Sequence, residues 1–275
     1  MPHGRPERRY AYLVTPPHDQ VVISPPNRGN SSQVALITGA SSGLGRATTL
    51  AFAQAGADVA LVAHSKEQLE QVAREVESLG RKALALPVDL ADENQIQDAV
   101  ERTLATFGRV DVLVNAAGTD VPRPVVDLSA ESWDRVLDVN LRAPFLLAKA
   151  VYPSMAQAGK GTIINISSVA GKRGWANAAA YCSSKFGLTG LTQVLAAEGK
   201  AHGIRACVLY PGGMATSWGI WSPAEHQTPQ RESPPPTQAL PPGEVAALLV
   251  WIAAAPPELV LNEVIATPLL EGGWP

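Results

Sequence analysis

VALITGASSGLG, residues 34–45, is the stretch that decides the fold. The run VALIT (34–38) is short and almost wholly apolar, ends at a glycine-rich turn, and is followed by the helically patterned RATTLAFAQAG (46–56). A strand this uniformly apolar is buried on both faces, as in a parallel sheet. Gly39, Gly43 and Gly45 permit a tight turn and close approach of the backbone to a ligand. The helix beyond them offers free N–H groups and the positive end of its dipole, which suits a diphosphate. Ser41, Ser42 and Leu44 complete that loop. The glycine spacing differs from GxGxxG, so the strand before and the helix after carry the inference.

Outward from this unit the same alternation repeats. DVALVA (58–63) precedes the amphipathic KEQLEQVAREVESLG (66–80), ALALPVDL (83–90) precedes ENQIQDAVERTLATFG (93–108), and VDVLVNAAG (110–118) reads as another buried strand and its exit. A long helical stretch covers 129–158, TIINISS (162–168) is a strand, 178–202 a helix, IRACVLYPG (204–212) a strand, 243–255 the last helix and EVIATPLL (263–270) a closing strand. The order predicts an α/β fold, a single doubly wound parallel sheet of Rossmann-like type with helices on both faces and right-handed crossovers. Ligands of such sheets sit at the carboxyl ends of the strands.

The totals agree. The chain has 275 residues, 46% hydrophobic and 17% charged, enough for a sizeable core. A net charge of −3 without basic blocks gives no reason to expect nucleic acid or an anionic membrane as partner. No apolar run reaches the roughly 18–20 residues that span a bilayer, and the N-terminus lacks the basic-then-apolar plan of a signal peptide. Cys182 and Cys207 lie in no CxxC or Cys/His spacing and the histidines are scattered, so two buried free thiols, no metal site and a cytoplasmic location are expected. Residues 1–32, rich in Pro, Arg and Asn, read as an extension, either disordered or an arm, before the domain at 33–275. The proline-rich segment at about 217–244 reads as a substrate flap, with Trp218 and Trp221 as candidates to line an apolar pocket.

YCSSK (181–185) places Tyr181 and Lys185 one helical turn apart on a single face. Reducing a carbonyl by hydride needs a proton delivered to the oxygen, and oxidation needs the reverse. A free tyrosine ionises near ~10, and bringing it to about 7 requires roughly 4 kcal/mol. A lysine ammonium about 4–5 Å away supplies about 3–4 kcal/mol at an effective dielectric near 20. On this arithmetic the lysine lowers the phenol to the range that general acid–base catalysis uses.

Several motifs together resemble the short-chain dehydrogenase/reductase family, and in its general body the chain resembles the 3-oxoacyl-thioester reductase branch. TGASSGLG (38–45) resembles the family's TGxxxGxG; NAAG (115–118), VDL (88–90) and YPGGMAT (210–216) resemble its strand-exit, adenine and PG segments, and the likeness spans about 33–212. The resemblance implies that Asp89 contacts the adenine, that Asn115, Ala116 and Gly118 line the cofactor, and that Pro211, Gly212 and Thr216 meet the nicotinamide end. It implies a catalytic tetrad of Ser168, the second serine of ISS, with Tyr181, Lys185 and Asn140 of VNL (139–141). In that tetrad Ser168 donates to the substrate oxygen, Lys185 also holds the nicotinamide ribose, and Asn140 positions a water that links Lys185 to solvent. Ala63 stands where NAD-preferring relatives carry Asp, with His64, Ser65 and Lys66 following and Arg46 nearby, which favours NADP over NAD.

The activity expected is NAD(P)-dependent interconversion of a secondary alcohol and a ketone, on a small-molecule carbonyl or alcohol substrate. A sugar, polyol or other small-ketone reductase is the alternative within the class, and a non-catalytic NAD(P)-binding sensor or scaffold the alternative outside it. The family is commonly tetrameric or dimeric, so a homotetramer or homodimer through the helices at 129–158 and 178–202 is expected, although the tail LVLNEVIATPLLEGGWP departs from the family's usual ending.

Overall fold

A computed structural model describes residues 33–216 and 239–271; the extension 1–32, most of the flap and with it Trp218 and Trp221 lie outside the described residues. Each apolar run becomes a strand: β1 (Val34–Thr38), β2 (Asp58–Ala63), β3 (Ala83–Pro87), β4 (Val112–Asn115), β5 (Gly161–Ile166), β6 (Ile204–Pro211) and β7 (Glu263–Ala266). Between them lie α1 (Gly43–Gln54), α2 (Lys66–Ser78), α3 (Glu93–Phe107), α4 (Ala130–Leu137), α5 (Ala143–Ala158), α6 (Ala179–Gly199) and α7 (Pro242–Ala254). The strands form one parallel sheet in the order β3-β2-β1-β4-β5-β6-β7.

Alternation along the strands builds two cores. Ala35 and Ile37 of β1 point to a layer with Phe52, Leu69, Val72, Leu249 and Ile252, from α1, α2 and α7. Leu36 points to the opposite layer, with Ile96, Val100, Leu147, Val151 and Leu195 from α3, α5 and α6. Both faces of the sheet are thus covered, which is why its strands read as unbroken apolar runs rather than alternating ones. At the base of the sheet the Asp111 carboxylate accepts the Val34 N–H at 3.0 Å and pairs with Arg109, tying β1 to the start of β4.

Three boundaries differ from expectation. The long helical stretch is interrupted by a π-helical turn, Asp138–Arg142, between α4 and α5. The closing strand stops at Ala266, because Pro268 lacks an N–H and 267–271 turn back toward the sheet's carboxyl end, where the Glu271 carboxylate accepts the Gly213 N–H at 2.8 Å. The segment taken as flap to residue 244 is already helix from Pro242, since proline suits the first turn of a helix.

The order of strands reverses between β1 and β4, so the chains leaving them diverge to opposite faces and open a crevice. Thr38 Oγ accepts the N–H groups of Ala116 and Ala117, both at 3.1 Å, and sets the floor of that crevice.

Candidate active site

A cavity of about 990 Å³ occupies the crevice at the carboxyl ends of the strands. One end is the glycine turn. Gly39 has φ +68°, and a Cβ there would lie 2.9 Å from Ala117 Cα, so the turn and the β4 exit pack backbone to backbone. A Cβ on Gly45 would collide with the Gly39 carbonyl, which closes α1 tightly onto the turn. Ser42, the residue before α1, is extended and makes no side-chain cap, and the first turn of α1 carries no acidic residue. Ser41, Ser42, Gly43 and Leu44 line the cavity there, and the first N–H groups of a helix lack partners within it, an arrangement that fits an anionic diphosphate.

Ala63, His64 and Asp89 line the adjoining wall. The Asp89 carboxylate accepts from Arg135 at 2.8 and 3.1 Å and from the Ala91 N–H at 3.0 Å. Its pKa is lowered: burial raises it, and the hydrogen bonds and Arg135 outweigh that burial. Lys66 is not brought to this wall. It is exposed and paired at 3.9 Å with Glu70, one turn along α2, and Arg46 is paired at 2.6 Å with Glu75. Both cations find acids on α2, which the local reading of HSK did not weigh.

Ala116, Gly118, Pro211, Gly212, Met214 and Thr216 also line the cavity, together with Glu271; of these Thr216 lies beside the glycine turn, 3.6 Å from where a Cβ on Gly43 would stand. Sequence reading missed Glu271; its one signal was an acid just after the last strand. Asn115 is buried beneath the wall rather than on it, its Nδ2 donating to Asn165 Oδ1 at 2.8 Å.

The cavity is also lined by Ser168, Tyr181 and Lys185. The paired serines of β5 part company. Ser167 Oγ bonds the Lys185 carbonyl at 3.1 Å, a tie to α6, whereas the Ser168 hydroxyl bonds the Tyr181 phenol and accepts the Ala170 N–H at 3.1 Å. Tyr181 is 9% exposed and Lys185 4%. Lys185 Nζ donates to the Ile166 carbonyl at 2.9 Å and lies 5.6 Å from the centre of the Tyr181 ring. Asn140, on the π-helical turn, is fully buried and lies off the cavity wall. Its Oδ1 accepts the Thr119 N–H at 2.8 Å, and its Nδ2 donates to the Thr119 carbonyl at 2.9 Å and to Ser184 Oγ at 3.1 Å.

The electrostatics correct the sequence arithmetic. Burial pushes the Tyr181 phenol above its ordinary value, the Asp120 charge and Cys182 push the same way, and only the Ser168 hydrogen bond lowers it. Burial also brings Lys185 down to about 8, with Asp120 opposing. The two-charge estimate counted attraction and left out the cost of taking both groups out of water. Among the described residues no set of three or more His, Cys, Asp or Glu is arranged to hold a metal ion, and no helix is long and apolar enough to cross a membrane.

With this geometry in place, the comparisons with known proteins are direct. Residues 33–224 match the family model for short chain dehydrogenases. The chain is 35% identical over 247 residues to a 3-oxoacyl-[acyl-carrier-protein] reductase of Thermotoga maritima, covering 88% of this chain and 97% of that one. It is 34% identical over 244 residues to a D-threitol dehydrogenase of Mycolicibacterium smegmatis, covering 88% and 92%. Its fold matches the crystal structure of a metagenomic short-chain oxidoreductase in complex with NADP at a TM-score of 0.75 and 35% identity, over 88% of this chain and 99% of that one.

Proposed function

Because the chain belongs to the short-chain dehydrogenase family, we propose that its cavity floor is the catalytic centre, with Tyr181 as general acid–base. The protein is an NAD(P)-dependent oxidoreductase that interconverts a secondary alcohol and a ketone. The observation that carries the assignment of residues is the Ser168–Tyr181 hydrogen bond with Lys185 Nζ 5.6 Å from the ring centre, in the same cavity as the uncapped start of α1.

The cavity fits the cofactor on its own features. The glycine turn and the open helix start of α1 would hold the diphosphate, His64 and Asp89 would face the adenosine, and Pro211, Gly212 and Thr216 the nicotinamide end. When bound, the nicotinamide supplies or accepts the hydride. Ser168 donates to the substrate oxygen, which places that oxygen beside the phenol. Tyr181 gives its proton to the nascent alkoxide in reduction and takes it from the alcohol in oxidation. Lys185 lies 5.6 Å from the centre of the Tyr181 ring, where its charge opposes the rise that burial gives the phenol. Asn140 acts from behind, holding the Thr119 backbone and the α6 turn in register.

We assign NADP as the preferred cofactor, since Ala63 places no carboxylate against a 2′-phosphate. Phe145, Phe186 and Val194 leave apolar surface exposed on α5 and α6, which supports a homotetramer or homodimer through those helices. The two free, buried cysteines suit the cytoplasm. The substrate is a small ketone or secondary alcohol.

Tyr181→Phe tests the reading. With cyclohexanol, D-threitol or a 3-hydroxyacyl thioester, whichever the wild type oxidises, turnover is expected to fall by about 10²–10⁴-fold. Fluorescence titration of the same variant is expected to retain wild-type affinity for NADPH, tighter than for NADH. An active variant overturns the assignment of Tyr181.

A further inference from the structure

The chemistry above makes no use of Glu271, an acid on the wall of the same cavity as Ser168 and Tyr181. The fold fixes its carboxylate. After β7 the chain turns at Pro268, whose carbonyl accepts the Glu271 N–H at 3.0 Å, and Glu271 Oε2 accepts the Gly213 N–H at 2.8 Å. The Gly212 N–H donates to the Ala266 carbonyl at 2.8 Å, so the PG segment is tied to the tail at both residues. A Cβ on Gly212 would stand 2.1 Å from Glu271 Oε2, so glycine at 212 is what admits the carboxylate. The other oxygen, Oε1, has no hydrogen-bond partner among the described residues. Strand pairing sets the distance to the chemistry. Ile166 stands opposite Leu209, and the Ser167 N–H donates to the Leu209 carbonyl at 2.8 Å, which puts Ser168 level with Pro211. Neighbouring strands are about 4.8 Å apart, so a carboxylate held on Gly213, just beyond Pro211, lies on the order of 10 Å from Ser168.

We propose that Glu271 is a substrate-specificity residue: its carboxylate holds a fixed negative charge on the wall of the substrate space and biases the enzyme toward neutral and cationic alcohols over those that carry an acid near the reacting carbon. This rests on the reading of Ser168 and Tyr181 as the reacting centre. A hydroxyl or ammonium group on the substrate has a proton to donate to Oε1, whereas a carboxylate has none and is repelled. Two unit charges about 10 Å apart, at an effective dielectric near 20, change binding by roughly tenfold. Arg173 and Lys185 line the cavity too. Their charges are the same in the wild type and in a variant at 271, so the comparison isolates that of Glu271.

The test is a charge series on one skeleton: 3-hydroxybutyrate, 1,3-butanediol and 4-amino-2-butanol, which share the same secondary alcohol. For each, kcat/KM for oxidation with NADP is read in the wild type and in Glu271→Gln. A compound that is not turned over is read instead as Ki against the alcohol chosen above. Glutamine keeps an acceptor for the Gly213 N–H and removes the charge. The preference for hydroxybutyrate over the diol is expected to rise about tenfold, and that for the amino alcohol over the diol to fall by about as much. Should the glutamine variant not fold, Glu271→Ser carries the same expectation. Fluorescence titration of the variant is expected to give wild-type affinity for NADPH. Ratios that stay at their wild-type values, with or without a common drop in all three, overturn the proposal and make Glu271 a tie for the tail. Unchanged ratios with weakened NADPH binding overturn it as well and assign Glu271 to the cofactor. A wild type that oxidises no alcohol, or an active Tyr181→Phe enzyme, would instead overturn the underlying reading, so the two failures are distinguishable.

Discussion

Asn140 shows how one side chain holds a site together without lining it. All three of its polar contacts are made inside the protein, and Asn140→Ala would strand the Thr119 N–H and carbonyl, while Ser184 Oγ would lose a donor but keep its bond to the Tyr181 carbonyl. Buried groups left without partners cost about 1–3 kcal/mol each. The expected outcome is a loss of about 2–4 kcal/mol in urea denaturation, partly offset by water entering the gap, with kcat reduced and affinity for NADPH less affected. Tyr181, Lys185 and Ser168 were readable from their spacing and likeness to a family pattern. Asp120 was not, because an acid five residues into a loop has no period or motif to mark it. The action of its charge on Lys185 follows from the folded chain and not from any local spacing.

At the scale of elements, the start of α1 is the feature on which cofactor binding turns. An ordinary helix of this length would gain from an acid at its start, yet Ser42 makes no cap and the first turn has none. Ser42→Asp is expected to stabilise the cofactor-free protein by about 0.3–1 kcal/mol, through the helix dipole and a side-chain cap. It is also expected to weaken NADPH binding about tenfold or more, which costs at least ~1.4 kcal/mol. Thermal melting with and without NADPH reads both effects; an unchanged affinity would move the diphosphate away from this helix. The π-helical turn at 138–142 was not legible, since a single extra residue per turn leaves the apolar pattern of 129–158 nearly intact. It turns Asn140 inward.

Across the whole molecule, the edge strand β7 is fastened by a surface cluster rather than by a broad apolar face. Glu263 pairs with Lys172 and accepts from Gln193 at 3.2 Å, while Lys172 lies 4.4 Å over the Tyr210 ring. The hydrogen bond from Lys172 lowers the Glu263 pKa, and that to Glu263 raises the Lys172 pKa. A lowered carboxyl stabilises the fold above its unfolded value near ~4.3 and loses that contribution as pH falls through the folded value. A raised lysine contributes fully below its unfolded value near ~10.4 and loses this as pH rises through the folded value. The pair thus stabilises between those limits. Because both side chains are about one-third exposed, Glu263→Gln is expected to cost less than about 1 kcal/mol at pH 7. Its melting temperature is expected to meet that of the wild type below the Glu263 pKa; a gap that persists there would mean packing, not charge, fastens β7.

The sequence by itself determined the alternation of strand and helix, the burial of the sheet on both faces and the turn that opens α1, because these depend on periodicity and on glycine within a few residues. Only the tertiary structure decided which charges are available. Lys66 and Arg46 stand near the right strand in sequence but are taken up by Glu70 and Glu75. Glu271, distant in sequence from the PG segment, is brought beside it, its carboxylate accepting the Gly213 N–H, and the Asp120 charge acts on Tyr181 and Lys185. Burial then raises the Tyr181 phenol where pairwise attraction alone would have lowered it. Ionisation depends on solvent exclusion and on partners from several elements at once, and neither is encoded in local spacing.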